Sequence, residues 1–216
     1  MTIEELSEKI ALLFNKDFST LHNKNSQISI KEMNPGASDI NVLRIDPNGV
    51  SVIEFHTAIL DKINHLFLQT NKDEFSLCCG CDGILLSKID ETFHIKFIEL
   101  KNSFTPSHLK SSLYQFEATN YKIKLVLDFL EGIDCNLNIE CLLVSKLPNN
   151  YLEKSTMYWK NSLDPSVSLY HNLASNKKSH LCIEKACTAL LPVKHKYKFV
   201  KIPIKFIEGN NQLISL

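Results

Sequence analysis

The chain has 216 residues, of which 44% are hydrophobic and 22% are charged, so we expect a globular protein with a buried core. These proportions exclude an intrinsically disordered or fibrous chain. Lys and Arg together number 24, as do Asp and Glu, so no net charge indicates a polyanionic partner. The length predicts a single domain over residues 1–216.

Charge is distributed unevenly along the chain. Residues 1–100 carry nine basic and fifteen acidic side chains, whereas residues 101–216 carry fifteen basic and nine acidic ones. A polyanion is therefore expected to bind the second half. Arg44 is the single arginine, so bidentate guanidinium contacts to phosphate or guanine can contribute little.

The N-terminal residues, MTIEELSEKI, lack the basic and apolar regions of a secretory signal peptide, and the chain has no run of eighteen apolar residues. We therefore expect a cytoplasmic protein with no membrane partner. Its seven cysteines are expected to be reduced, as is usual in that compartment.

The first predicted element is a helix over residues 3–14, which begins with a capping box formed by Thr2 and Glu5. Short strands are predicted over residues 27–31 and 40–45, each followed by a turn that contains Pro and Gly. Apolar residues at helical spacing predict a second helix over residues 51–69.

A β-meander is predicted next, from three apolar runs over residues 75–79, 83–89 and 94–101, with a turn at residues 90–92. A long helix over residues 107–130 and a buried strand over residues 139–145 follow. The predicted order from residue 51 onwards is therefore α, β, β, β, α, β. Beyond Pro148 the pattern is weaker and predicts a helix over 181–190 and a strand over 197–207.

A charged pair stands at the end of the most hydrophobic predicted strand. Glu-x-Lys occurs once in the chain, as Glu99-Leu100-Lys101. Since side chains alternate along a strand, Glu99 and Lys101 share one face. If the hairpin turns around residue 91, Asp82 lies opposite residue 100, so two carboxylates and an ammonium group converge at one end of the hairpin.

These three side chains suit metal-assisted chemistry on a phosphate. Asp82 and Glu99 supply the oxygen ligands that Mg²⁺ prefers, with Mn²⁺ as a substitute. A bound ion lowers the pKa of a water molecule and offsets charge on a phosphate, while Lys101 could hold the hydroxide or a non-bridging oxygen. The residues therefore predict hydrolysis of phosphodiester bonds.

The stretch CDGILLSKIDETFHIKFIELK, residues 81–101, resembles the motif of the PD-(D/E)xK phosphodiesterase superfamily, which includes restriction-endonuclease-like and many defence-associated nucleases. In this resemblance Asp82 matches the first acidic ligand, Glu99 the second and Lys101 the motif lysine. It implies an α/β fold with a mixed sheet and a restriction-endonuclease-like αβββαβ core over about residues 51–146. The N-terminal helix and strands, 1–50, and a basic C-terminal extension, 147–216, would lie outside that core.

The resemblance also implies further site residues and partners. Gln115 in SSLYQFEAT is similar to a polar residue that members carry on the helix after the motif, and Glu54 is the candidate for a glutamate on the helix before the meander. Cys81 stands where the family name has proline, and no Gln-x-x-x-Tyr pattern follows, which departs from the RecB-like branch. The implied partners are nucleic acid, with DNA expected, and a second copy in a homodimer; the implied role is restriction or phage defence.

A lysine-rich segment, KHKYKFVKIPIK at residues 194–205, has two interpretations. Five lysines and no acidic residue are typical of a solvated edge strand, which we favour. Alternatively, the segment binds the nucleic-acid backbone through Lys194, Lys196, Lys198 and Lys201, with aromatic residues as stacking platforms.

Two other functions stay open. The charges could form a buried ion pair in a catalytically inactive member of the same fold, which would act as an immunity-type binding module. A thiol-based enzyme is the third possibility, although Cys78-Cys79-Gly80-Cys81 lacks the second ligand pair that a structural zinc site needs.

Overall fold

The structure, a computed structural model, describes residues 1–32, 42–57, 80–130, 137–147, 165–176, 178–182, 201–209 and 213–216. In chain order its elements are α1 (Ile3–Leu13), β1 (Ser19–His22), β2 (Ile28–Lys31), β3 (Val42–Asp46), β4 (Val52–Phe55), β5 (Gly83–Ile89), β6 (Thr92–Lys101), α2 (Pro106–Asp128), β7 (Leu137–Ser145), α3 (Pro165–Asn176), β8 (Lys178–Cys182), β9 (Lys201–Glu208) and β10 (Leu213–Ser215). None of these helices is both long enough and apolar enough to cross a membrane.

The first helix begins where its capping box predicts. The backbone N–H of Thr2 donates to Glu5 Oε2 at 2.7 Å, and the backbone N–H of Glu5 donates to Thr2 Oγ1 at 3.1 Å. Both bonds satisfy N–H groups that have no partner inside the helix. The buried side chains Ile3, Leu6 and Ile10 form its core-facing stripe, so the predicted first helix is confirmed.

The described strands form a seven-stranded mixed sheet in the order β1-β4-β5-β6-β7-β9-β8. Strands β4, β5 and β6 are antiparallel neighbours, and β7 lies parallel to β6. Parallel neighbours need a long connection, and α2 occurs in it. The α/β class with a mixed sheet is therefore confirmed.

The two faces of this sheet are covered differently. One face packs against α1, α2 and α3 through a core that includes Leu6, Phe97, Phe116 and Leu173. The other face packs against a three-stranded sheet in the order β10-β3-β2. Residues 99 and 101 share the helix-covered face with Phe97, because side chains alternate along β6.

The small sheet lies close to the backbone of β5. A Cβ atom at Gly83 would be 2.8 Å from both Ile30 Cδ1 and Ile30 Cγ2. Since no side chain fits there, glycine lets β2 lie directly on the strand that follows Asp82.

Two predicted helices are wrong in part of the described residues. Val52–Phe55 form β4 instead of the start of a helix over 51–69, whereas Thr57 is helical and residues 58–69 lie outside the described part of the chain. Because Val52 is buried on one face of the sheet and Phe55 on the other, this short run shows no alternation that would have marked it as a strand.

The second wrong helix is the one predicted over 181–190. Its first two residues belong to β8, and the remainder lies outside the described residues. The predicted strand over 75–79 also lies outside them.

Candidate active site

The β5–β6 hairpin has a shorter turn than the sequence predicts. Ile89 pairs with Thr92, so the turn contains only Asp90 and Glu91, and Asp90 has a positive φ of 53°. The whole register shifts by one residue as a result. The prediction that Asp82 faces residue 100 is therefore wrong: Gly83 pairs with Ile98, so the next position along the ladder sets Asp82 across from Glu99.

Asp82 is held at the carboxyl end of β6 by a backbone contact. Its Oδ2 accepts a hydrogen bond from the backbone N–H of Leu100 at 2.8 Å. The carboxylate is half-buried, so part of it can be reached from solvent. The register and this bond bring the two predicted carboxylates together.

Glu99 is the most deeply buried charged residue of the site. Its side chain is fully buried, and its Oε1 lies 2.6 Å from Lys101 Nζ. Apart from this contact with Lys101 and a weaker one with the backbone of Asp82, neither carboxylate oxygen has a hydrogen-bond partner of regular geometry among the described residues. Burial and the neighbouring Asp82 raise the pKa of Glu99 to about 8, and the opposing effect of Lys101 does not compensate for them.

Lys101 is fixed by the residue predicted on the following helix. Its Nζ donates to Gln115 Oε1 at 3.0 Å, and Gln115 Nε2 donates to the backbone carbonyl of Gly80 at 3.1 Å. Gln115 therefore connects Lys101 to the segment that leads into Asp82. Ser111 Oγ, one turn earlier on α2, donates to the same Gln115 oxygen at 3.4 Å.

Thr119 is a supporting residue that the sequence analysis missed. Its Oγ1 accepts a hydrogen bond from the backbone N–H of Cys81 at 2.9 Å. Thr119 is four residues after Gln115 and so lies on the same helical face, a spacing that could have identified it. Together the two side chains fix residues 80 and 81.

The thiols that the structure describes do not suit nucleophilic catalysis. Cys81 and Cys141 are both buried and unpaired. Burial raises the pKa of both thiols well above its usual range, and Glu99 raises that of Cys81 further. A protonated, buried thiol is a poor nucleophile, so neither residue supports a thiol-based enzyme.

Glu54 is not brought to this site. It lies on β4, not on a helix, and pairs with Leu85, whose side chain packs on the face opposite to Glu99. There its Oε2 is 2.7 Å from His22 Nε2. The predicted position of Glu54 on a helix before the meander is therefore wrong.

The lysine-rich segment is described only in part. Lys194, Lys196 and Lys198 lie outside the described residues, whereas Lys201 begins β9. Because β9 lies between β7 and β8, with Ile204 and Lys205 paired to both strands, the interpretation of this segment as an edge strand is wrong for these two residues.

Asp82 and Glu99 are the oxygen ligands that this site offers. No cluster of three or more His, Cys, Asp or Glu side chains suited to a metal ion occurs in the described part of the chain. Mg²⁺ usually takes only one or two protein carboxylates and keeps several waters. The buried carboxylate of Glu99, next to a second carboxylate and with a single lysine to balance both, fits such an ion.

Comparison of the chain with models of protein families, with curated proteins and with solved structures gave no match. We therefore infer the function from the residues of the site and their geometry.

Proposed function

We propose that the protein is a metal-dependent nuclease that hydrolyses phosphodiester bonds in nucleic acid. The observation that carries this proposal is the environment of Glu99, a fully buried carboxylate that lies beside a second carboxylate, Asp82, with Lys101 as its one close cation among the described residues. Burying a carboxylate in this way is unfavourable, and a second negative charge adds to the cost. A divalent cation bound by both groups would offset it.

The order of elements supports the same proposal. The antiparallel β5–β6 hairpin, the helix α2 and the parallel strand β7 have the order of the last four elements of the predicted αβββαβ core, whose first strand was predicted over residues 75–79, outside the described residues. Asp82 precedes β5, and Glu99 and Lys101 end β6. This is the arrangement that the resemblance to the PD-(D/E)xK superfamily implies.

Each residue has a distinct role in the proposed reaction. Asp82 and Glu99 would hold Mg²⁺, or Mn²⁺ in its place, and the ion supplies a water of lowered pKa and charge to offset that of the phosphate. The Lys101 ammonium group has three N–H donors. Two of them are directed to Glu99 and Gln115, and the third has no partner among the described residues. That donor can therefore bind a non-bridging phosphate oxygen.

A catalytically inactive protein of the same fold is the second candidate, because the 2.6 Å contact between Glu99 and Lys101 would also fit a buried structural ion pair. Lys101 does lower the pKa of Glu99, but burial and Asp82 outweigh this effect and raise the pKa to about 8. A simple ion pair has no need of a second carboxylate, so the position of Asp82 beside Glu99 favours the nuclease.

The partners follow from the proposed activity. DNA is the proposed substrate, and the basic second half of the chain, including Lys194, Lys196 and Lys198, is the proposed contact to its backbone. A homodimer is proposed because cleavage of both strands needs two active sites. A role in restriction or phage defence and a cytoplasmic location stay predictions.

The direct test is cleavage of single- and double-stranded DNA and RNA with Mg²⁺, with and without EDTA. The full-length protein should cleave at least one of these substrates, EDTA should abolish cleavage, and Glu99→Gln should be inactive. Glu140→Gln, on the opposite face of the sheet, is the matched control and should cleave normally. Metal-independent binding without cleavage would identify the inactive module instead.

A further inference from the structure

His108 has an oriented imidazole ring at the start of α2, close after the strand that carries the candidate site. Its Nδ1 lies 2.7 Å from the backbone carbonyl oxygen of Ser103 and 3.2 Å from Ser103 Oγ. Because a carbonyl oxygen can only accept, Nδ1 carries a proton. This bond fixes both the tautomer and the plane of the ring.

The second ring nitrogen is unused. His108 is half-buried, and its Nε2 has no hydrogen-bond partner in the part of the chain that the structure describes. A histidine held through one nitrogen, with the other directed away from its anchor, is a common arrangement in functional sites. The ring can therefore bind a ligand without rearranging.

His108 also lies on the same flank of α2 as Gln115. Positions seven residues apart are separated by only about 20° around an α-helix and by about 10 Å along its axis. Gln115 contacts Lys101, so the imidazole and the Lys101 ammonium group border the same side of the helix. Ser111, between them on this flank, contacts Gln115 as well.

We propose that His108 is a substrate-binding residue that contacts a phosphate a few nucleotides away from the scissile bond. The inference rests on the proposed nuclease function. In B-form DNA each strand carries one phosphate per about 3.4 Å along the helix axis, so a strand held at Lys101 brings a further phosphate near His108. Because Nδ1–H is held by Ser103, a bond from Nε2 to the phosphate requires that the ring takes up one more proton from solvent on binding.

Two substitutions separate this role from a structural one. His108→Asn keeps an N–H donor near the position of Nδ1 and removes the group at Nε2, whereas His108→Gln returns an amide donor near Nε2. His94→Asn is the matched control, because His94 lies on β6 with its side chain on the opposite face of the sheet. Melting temperatures establish that each variant folds; if His108→Asn does not fold, His108→Ala takes its place in the comparison.

The assay is cleavage of an oligonucleotide by the full chain with Mg²⁺, with a neutral methylphosphonate at one position at a time within about three nucleotides of the scissile bond. His108→Asn should raise KM about tenfold, the effect of losing one charge-assisted hydrogen bond, and leave kcat unchanged. His108→Gln should recover part of this loss. One methylphosphonate position should raise KM for the wild type and have no further effect in His108→Asn.

The outcomes distinguish this inference from the nuclease itself. If the wild type cleaves but His108→Asn keeps the wild-type KM, or if both respond alike to every methylphosphonate, His108 does not bind a phosphate and the nuclease proposal still stands. A loss in His108→Asn that depends on the 2′-hydroxyl of an RNA substrate would also overturn it. If the wild type cleaves nothing, the proposed function fails and this inference fails with it.

Discussion

Two glutamates of the same sheet lie close to lysines, but on opposite faces and in different surroundings. Glu140 on β7 contacts two lysines, Lys96 at 3.6 Å and Lys205, and its side chain is 18% exposed. Glu99 on β6 has one lysine, a second carboxylate beside it and a side chain that is 1% exposed.

The comparison shows that the number and exposure of charges matter more than the presence of an ion pair. The Glu140 cluster has more positive than negative charge and contact with water, so it needs no ligand. The Glu99 cluster has two carboxylates for one lysine, and burial disfavours the charged form of Glu99. We therefore regard the first cluster as structural and the second as a site that is completed by a cation.

The largest expected difference between the two clusters is in activity. Asp82→Asn and Lys101→Ala should each lower kcat by at least about a hundredfold, because each removes a charge that acts on the reacting phosphate or its ion. The matched change Glu140→Gln should stay within about twofold of wild type. Single-turnover cleavage rates measure both. If Glu140→Gln lowered kcat as much as Asp82→Asn and Lys101→Ala do, the losses would reflect impaired folding and not a local active site.

The next difference is in the pH dependence of metal binding. Since the pKa of Glu99 is about 8, the carboxyl group carries a proton at pH 7 that a cation must displace. Affinity for Mn²⁺ should therefore rise about tenfold per pH unit between about pH 6 and 8, then level off. Calorimetry in two buffers of different ionisation enthalpy should detect the release of about one proton at pH 7. Release of no proton would contradict the raised pKa.

An effect with the same slope per pH unit is expected on stability without metal. Because the folded pKa of Glu99 is raised to about 8, the folded state keeps a proton that the unfolded state loses above its ordinary value of 4.5. The free energy of unfolding in EDTA should therefore fall as pH rises between these values, by up to about 1.4 kcal/mol per pH unit for one group.

Glu117 provides the control for that measurement. Burial raises the pKa of Glu117 to about 7. Glu117 therefore also makes the free energy of unfolding fall as pH rises, but its contribution ends near pH 7. Glu99→Gln should remove the decline between pH 7 and 8, whereas Glu117→Gln should retain it. Denaturant unfolding at several pH values separates the two. If the decline above pH 7 persisted in Glu99→Gln, another group would be responsible for it.

The smallest effect is expected for the structural cluster. Lys205 is 42% exposed, so Lys205→Met removes an ion pair that water already screens. The free energy of unfolding should fall by at most about 1 kcal/mol, and the cleavage rate should not change. A larger loss in thermal denaturation would mean that the Glu140 cluster contributes more to the fold than its exposure suggests.

The sequence predicted the centre of the site better than its surroundings. Strand alternation and the hairpin placed Asp82, Glu99 and Lys101 at one end of the sheet, the resemblance to the superfamily added Gln115, and the structure brings the four together. The register was one residue off because a two-residue turn at Asp90 requires a positive φ that the sequence did not indicate.

The regions outside the hairpin were harder to predict. Val52–Phe55 is a short apolar run next to residues at helical spacing, so periodicity alone could not distinguish a strand from a helix. Its correct assignment depends on pairing with β1 and β5, contacts distant in sequence. The consequence for the site is that Glu54 belongs to the opposite face.

The central claim is that Asp82 and Glu99 together bind a divalent cation, and crystals soaked with Mn²⁺ test it most directly. Anomalous difference density should show an ion in contact with both carboxylates in the wild type and no ion there in Glu99→Gln. An ion at Glu140 instead, or no ion at Asp82 and Glu99 in well-occupied crystals at a pH above 8, would contradict the claim.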